Sequence, residues 1–172
     1  MGRDCPQPTP YNSSNYPTHH DCDIPVLCPE HDVATANWGE NWRTPSTDDY
    51  LALYRACGGT EDMMSDPPAL TAANKDTQGI YWVAAGQTVE PKYKVAGLLF
   101  VQDATHKVFF PVAGYVYDAA LYDAGYGGYY WSSSLFTGNT SGAYGLYFSS
   151  DNVDPQDYAD RCCGFTVRPI AD

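Results

Sequence analysis

The residues of this chain whose types could do chemistry are six cysteines, four histidines and a run of three serines. Cys22, Cys28 and His31, with Cys5, His19 or His20 as a fourth ligand, are the only metal-like grouping. Their spacing lacks the paired Cys-x-x-Cys knuckle of structural zinc sites, so no metal is expected. One disulfide among Cys5, Cys22 and Cys28 stays open, whereas Cys162 and Cys163 are adjacent, and such neighbours seldom bridge to each other. Ser132-Ser133-Ser134 and His106 offer hydroxyls and an imidazole, but no G-x-S-x-G elbow or ordered triad surrounds them. Neither a catalytic residue nor a cofactor is assigned, and the chain is expected not to be an enzyme.

What remains is the chemistry of contact. Fifteen Tyr and four Trp raise aromatics to 15% of 172 residues, while charged residues reach only 17%. Tyrosine supplies large rigid area and a hydroxyl at low entropic cost, which favours binding surfaces over solvated tails. Nine Lys and Arg stand against 21 Asp and Glu, a net charge of −12 that repels phosphate backbones and anionic headgroups. Nucleic acid is therefore not expected as a partner. No stretch approaches the roughly 18 to 20 apolar residues of a spanning helix, so no direct membrane insertion is expected either. The start, Met1-Gly2-Arg3-Asp4-Cys5, lacks the basic-then-apolar plan of a secretion signal.

The elements that must position such a surface follow from punctuation and period. Residues 1–30, rich in Pro, Asn, Ser and His, read as an irregular arm, and 31–172 as one domain. Pro29 can open a helix with Val33, Ala34 and Ala36 inward until Trp38-Gly39 stops it. Ser46 or Thr47 can cap a second helix, with Tyr50, Leu51, Leu53, Tyr54 and Cys57 at helical spacing and Gly58-Gly59 at its end. Strands are expected near 80–85, 93–101, 107–112, 128–133, 143–148 and 164–169. The fold class is α+β, two helices on a twisted antiparallel sheet with long C-terminal loops.

Several motifs now fall in order. Asp32-Val33-Ala34 through Ala36-Asn37-Trp38-Gly39 leads into Asn41-Trp42-Arg43-Thr44-Pro45-Ser46; then come Phe110-Pro111-Val112-Ala113-Gly114, Gly128-Tyr129-Tyr130-Trp131-Ser132-Ser133-Ser134, and Arg161 with Gly164-Phe165-Thr166-Val167-Arg168-Pro169-Ile170. This set resembles the Fibrobacter major paralogous domain, a branch of the C-type lectin fold related to formylglycine-generating enzymes. Within it the layout is most similar to variable proteins of diversity-generating retroelements. The resemblance implies a C-type-lectin-like domain whose C-terminal region, about 117–163, is rewritten by adenine-directed mutagenesis to recognise a receptor or other macromolecular surface ligand. It implies display on a virion, phage tail or cell envelope. The alternative is a fimbria-like assembly or adhesion module of the same fold, without diversification. Calcium-dependent sugar binding is not expected, because Glu90-Pro91-Lys92 puts an ammonium where relatives that bind sugar carry an oxygen ligand. The cysteine pair of formylglycine-generating enzymes has no counterpart, since the late cysteines here are adjacent.

Mutated AAC codons cannot encode Lys, Glu, Gln, Met or Trp. From Tyr117 to Cys163 there is no Lys, Glu or Met, and the single Trp131 and Gln156 lie in stretches resembling fixed family sequence. The resemblance then divides frame from contact residues. Tyr130, Trp131, Leu146, Phe148, Val153, Pro155, Arg161 and Phe165 belong to the frame. The expected variable surface comprises Leu135, Phe136, Thr137, Gly138, Asn139, Ser141, Gly142, Tyr144, Gly145, Tyr147, Ser149 and Asp151. It continues through Asp157, Tyr158, Ala159, Asp160, Cys162 and Cys163, with Tyr122, Asp123, Tyr126 and Tyr129 upstream. Alternation turns Leu146 and Phe148 inward and Gly145, Tyr147 and Ser149 outward. Phe136, Tyr144, Tyr147 and Tyr158 are the expected anchors. Trp38, Trp42 and Trp131 are expected in the core, and Arg43 and Arg168 are expected to satisfy carboxylates or carbonyls.

Overall fold

Ser46 is placed for a capping box: its side chain accepts from the Asp49 amide while Asp49 reaches back to the Ser46 amide, and this starts helix α2, Thr47–Ala56. Left-handed Gly58 (φ +90) follows its Cys57 cap. The computed structural model describes residues 27, 29–89, 92–136 and 142–171. Most of the N-terminal arm, with Cys5, His19, His20, Cys22 and Cys28, lies outside the described residues, as do Glu90-Pro91.

Pro29 opens only a 3-10 turn, Pro29–His31, and helix α1 spans Val33–Trp38. Asp32 caps it from a buried position. Its carboxylate accepts from the Ala34 amide (2.8 Å), the Thr44 amide (2.7 Å) and the Thr44 hydroxyl (2.6 Å), tying α1 to the segment before α2. A helix of fewer than two turns has little inner face. Ala34 is buried, whereas Val33 and Ala36 are exposed, correcting the expected orientation. Trp38 and Trp42 are also exposed rather than core residues.

Eleven strands complete the described chain: β1 Trp42–Arg43, β2 Met64–Ser65, β3 Gly79–Val83, β4 Gly97–Val101, β5 Lys107–Pro111, β6 Tyr115–Tyr117, β7 Ala120–Tyr122, β8 Gly128–Leu135, β9 Gly142–Phe148, β10 Asn152–Asp160 and β11 Ile170–Ala171. They form an antiparallel sheet β2-β10-β9-β8, a second antiparallel sheet β3-β4-β5, the ribbon β6-β7, and a pairing of β1 with β11 that joins the ends of the domain. The fold is α+β. Tyr50 and Tyr54 of α2, with its cap Cys57, meet Leu98, Phe100, Phe110, Tyr130, Leu146 and Phe148 in the main core. A smaller cluster, including Tyr81, Val83, Leu99 and Val101, lies on the other face of β3-β4-β5.

Three differences from the expected elements have local causes. Residues 164–169 make only isolated bridges, Gly164 to Val116 and Thr166 to Tyr130, and the last strand begins after Pro169, which has no amide to donate. Strand β10 was hidden because Val153 and Pro155 alone carry its buried face among acidic neighbours. The β6-β7 ribbon turns through left-handed Asp118 (φ 45) and Ala119 (φ 62), without the Asn-Gly signal that marks such turns.

Candidate functional site

Strand β8 is the spine of the candidate surface. Its register places Tyr129 opposite Tyr147 and Trp131 opposite Gly145 on one face, and Tyr130 opposite Leu146 on the core face. A bulge follows between Trp131 and Leu135, where the serine run meets α2. Ser134 Oγ accepts from the Thr47 amide (3.0 Å), and Ser132 donates to the Tyr144 carbonyl (2.8 Å). These two hydroxyls secure a helix start and a strand. His106 is similarly local: its Nδ1 lies 2.8 Å from Asp103, whose carboxyl is held below the usual range by hydrogen bonds from Thr105 and His106.

The expected contact residues fall into two aromatic groups. In the first, Tyr147 lies 5.0 Å from Tyr129, Tyr129 lies 4.7 Å from Tyr115, and Tyr115 stacks on Tyr122 at 5.4 Å between ring centroids. Phe165 caps this row, stacking on Trp131 at 4.2 Å and touching Tyr129 at 5.1 Å. Tyr129 donates to Asp123 Oδ2 (2.7 Å), and burial, then that carboxylate, pushes its phenol well up. Tyr126 stands 79% exposed in the turn beyond.

The second group gathers at the other end of β9. Phe136 stacks on Tyr158 at 4.2 Å and 6°, and meets Tyr144 edge-on at 5.2 Å. Tyr158, opposite Tyr144 in the strand register, is 58% exposed. Strand alternation separates Tyr144 from Tyr147 onto opposite faces, so the four expected anchors are divided between the groups. Thr137, Gly138, Asn139 and Ser141, between Phe136 and β9, lie outside the described residues.

The remaining positions sort by burial. Ser149 and Asp151 form the β9-β10 turn, with Asp151 exposed. Asp157 is half-buried, and desolvation raises its carboxyl. Ala159 and Asp160 end β10, and Cys162 and Cys163 are half-buried thiols in the following turn. Leu135 lines a pocket of about 200 Å³ with Trp131, Ser133 and Arg161. Gly142 is buried, and Gly145 keeps the expected face with Trp131 and Tyr147 but is covered rather than exposed: a Cβ there would sit 2.8 Å from the Tyr130 carbonyl oxygen and 3.8 Å from Phe165.

The two arginines act on the frame. Arg43 donates to Asp49 through both terminal guanidinium nitrogens (2.5 and 3.0 Å), and Arg168 donates to the Phe109 carbonyl (2.8 Å) while lying 4.8 Å over the Phe110 ring. Among the described residues there is no group of three or more His, Cys, Asp or Glu that could hold a metal ion, and no helix long and apolar enough to cross a membrane. The row from Tyr122 through Tyr115 and Tyr129 to Tyr147 went unforeseen as a unit, because Tyr115 precedes the expected variable region. The Tyr-Val-Tyr and Ala-Leu-Tyr segments flanking two turn residues were the available signal. No family model, curated protein or solved structure matches this chain.

Proposed function

We propose that this chain is a ligand-display protein of C-type-lectin-like fold, a variable protein of a diversity-generating retroelement. Its contact residues change through adenine-directed mutagenesis while the frame stays fixed, and its ligand is a protein or other macromolecular surface met from a virion, phage tail or cell envelope. The observation that carries this reading is the division along β9: Leu146 and Phe148 are buried in the core, while Tyr147 between them joins a partly exposed row of tyrosines. Such a strand can exchange its outer side chain without opening the core. Tyrosine anchors held on paired strands then bind with little ordering cost. The ordered motifs from Asp32 to Ile170 support the same reading.

A display library tests it. The codons for Tyr122, Tyr126, Tyr147 and Tyr158 are replaced by AAC-derived mixtures, and protease resistance scores folding. Most members should fold, whereas the same mixture at Tyr130, Leu146 and Phe148 should abolish folding. Equal losses at both sets would contradict the proposal. A second reading, an assembly module, is favoured by Leu121, which is 61% exposed beside Val116 on the ribbon's other face. Sedimentation velocity should find a monomer; concentration-dependent oligomers would put assembly first.

A further inference from the structure

The tyrosine row runs off the main sheet onto the β6-β7 ribbon. Tyr115 and Tyr122 are cross-strand partners, so they share one face of the ribbon with Tyr117, two residues along. Among the described residues, three of the four non-glycine positions with left-handed backbone lie in or beside this ribbon: Asp118, Ala119 and Asp123. Asp118 and Ala119 take this backbone because a two-residue hairpin turn requires it, and aspartate is among the residues that tolerate it. Two of the three are aspartates that flank the ribbon's second strand along the chain, Asp118 in the hairpin turn and Asp123 directly after Tyr122, where its Oδ2 also accepts from Tyr129.

Charge sharpens the picture. Between Lys107 and Arg161 the sequence has no Lys or Arg, yet it has six Asp: Asp118, Asp123, Asp151, Asp154, Asp157 and Asp160. The ribbon and the row of Tyr115, Tyr122, Tyr129 and Tyr147 therefore come from a stretch with one sign of charge, and the chain's net −12 opposes a second copy of itself. We infer that the ribbon and its tyrosine row dock a cationic partner, a Lys- or Arg-rich segment of another protein. Guanidinium planes lie favourably on phenol rings, within about 6 Å of the centroid, and the flanking carboxylates supply charge-assisted hydrogen bonds. The inference rests on the proposed reading of this face as a contact surface, and it narrows the partner to one chemistry.

Fluorescence anisotropy with three labelled probes tests it: an arginine–glycine repeat peptide, its citrulline counterpart and a glutamate–glycine peptide. The arginine peptide should bind saturably, and the other two should not. Asp118→Asn with Asp123→Asn should weaken binding by roughly fivefold, since Asn tolerates left-handed backbone and the fold is kept. Tyr122→Ala should weaken it by a similar factor. Glu61→Gln with Asp62→Asn removes the same two charges from an exposed loop before β2 and should leave binding unchanged. Absence of saturable binding, equal losses from the two charge pairs, or no loss with Tyr122→Ala would each overturn the inference. Invariant codons in the source population would remove the diversified reading and leave peptide binding intact. Diversified codons without peptide binding would do the reverse.

Discussion

Replacing Gly145 with tyrosine asks whether a position that reads as variable belongs to the frame. A Cβ at Gly145 would lie 2.8 Å from the Tyr130 carbonyl oxygen, a backbone atom of the paired strand that cannot swing aside. Relieving such an overlap in a packed sheet costs about 1–3 kcal/mol. A ring beyond that Cβ would also displace Phe165 from Trp131, where it stacks at 4.2 Å, losing about 0.5–1.5 kcal/mol more. Removing glycine's freedom in the unfolded chain returns about 0.4–1 kcal/mol. At mid-range values the net loss should be about 2 kcal/mol, a large share of the 5–15 kcal/mol typical of a domain. Urea unfolding followed by tryptophan fluorescence measures it. Tyr147→Ala, two residues away, gives up only the edge of a tyrosine row and should cost about 1 kcal/mol. A Gly145→Tyr variant as stable as the parent would refute the division of β9 into frame and contact positions.

Other predictions concern the frame. Asp32→Ala removes the α1 cap and strands the Thr44 amide and hydroxyl, and should cost about 3 kcal/mol in the same assay; a loss below about 1 kcal/mol would contradict this role. Hydrogen bonds from Arg43 hold the Asp49 carboxyl down at about 2, below its ordinary 3.8. Because the folded value is the lower one, this stabilisation is present above pH 3.8 and is lost as pH falls through about 2. Solvent at the partly exposed pair reduces it to about 1 kcal/mol. Asp49→Asn should therefore show a shallower acid fall in melting temperature than the parent, and parallel curves would speak against the pair. Burial pushes the Cys57 thiol up to about 11, so mass spectrometry at mildly alkaline pH should find Cys162 alkylated in the native protein and Cys57 only after denaturation.

The helices and central strands were legible because their signals are local. Ser46 with Asp49 announces a helix start, and Ile80, Leu98, Phe100, Phe110, Leu146 and Phe148 mark core strands by apolar character. The first helix was legible in place but not in facing, since six residues carry too little period to fix an inner side. Strand β10 escaped because pairing with β9, rather than an apolar pattern of its own, makes it a strand. The candidate surface was legible residue by residue and illegible as an arrangement. That Phe136 and Tyr158 stack while Tyr147 joins another group depends on register across β8, β9 and β10, which a linear sequence does not display. Gly145 looked outward by alternation, but its space is taken by the Tyr130 backbone and by Phe165, twenty residues further along.

Sequencing the 3′ coding region of this gene across many cells or particles of its source population tests the central claim most directly. Substitutions should crowd at Tyr122, Tyr126, Tyr147 and Tyr158, confined to template adenines, with Trp131, Gly145, Arg161 and Gly164-Phe165 unchanged. A uniform sequence, or substitutions spread evenly over core and surface positions, would contradict it.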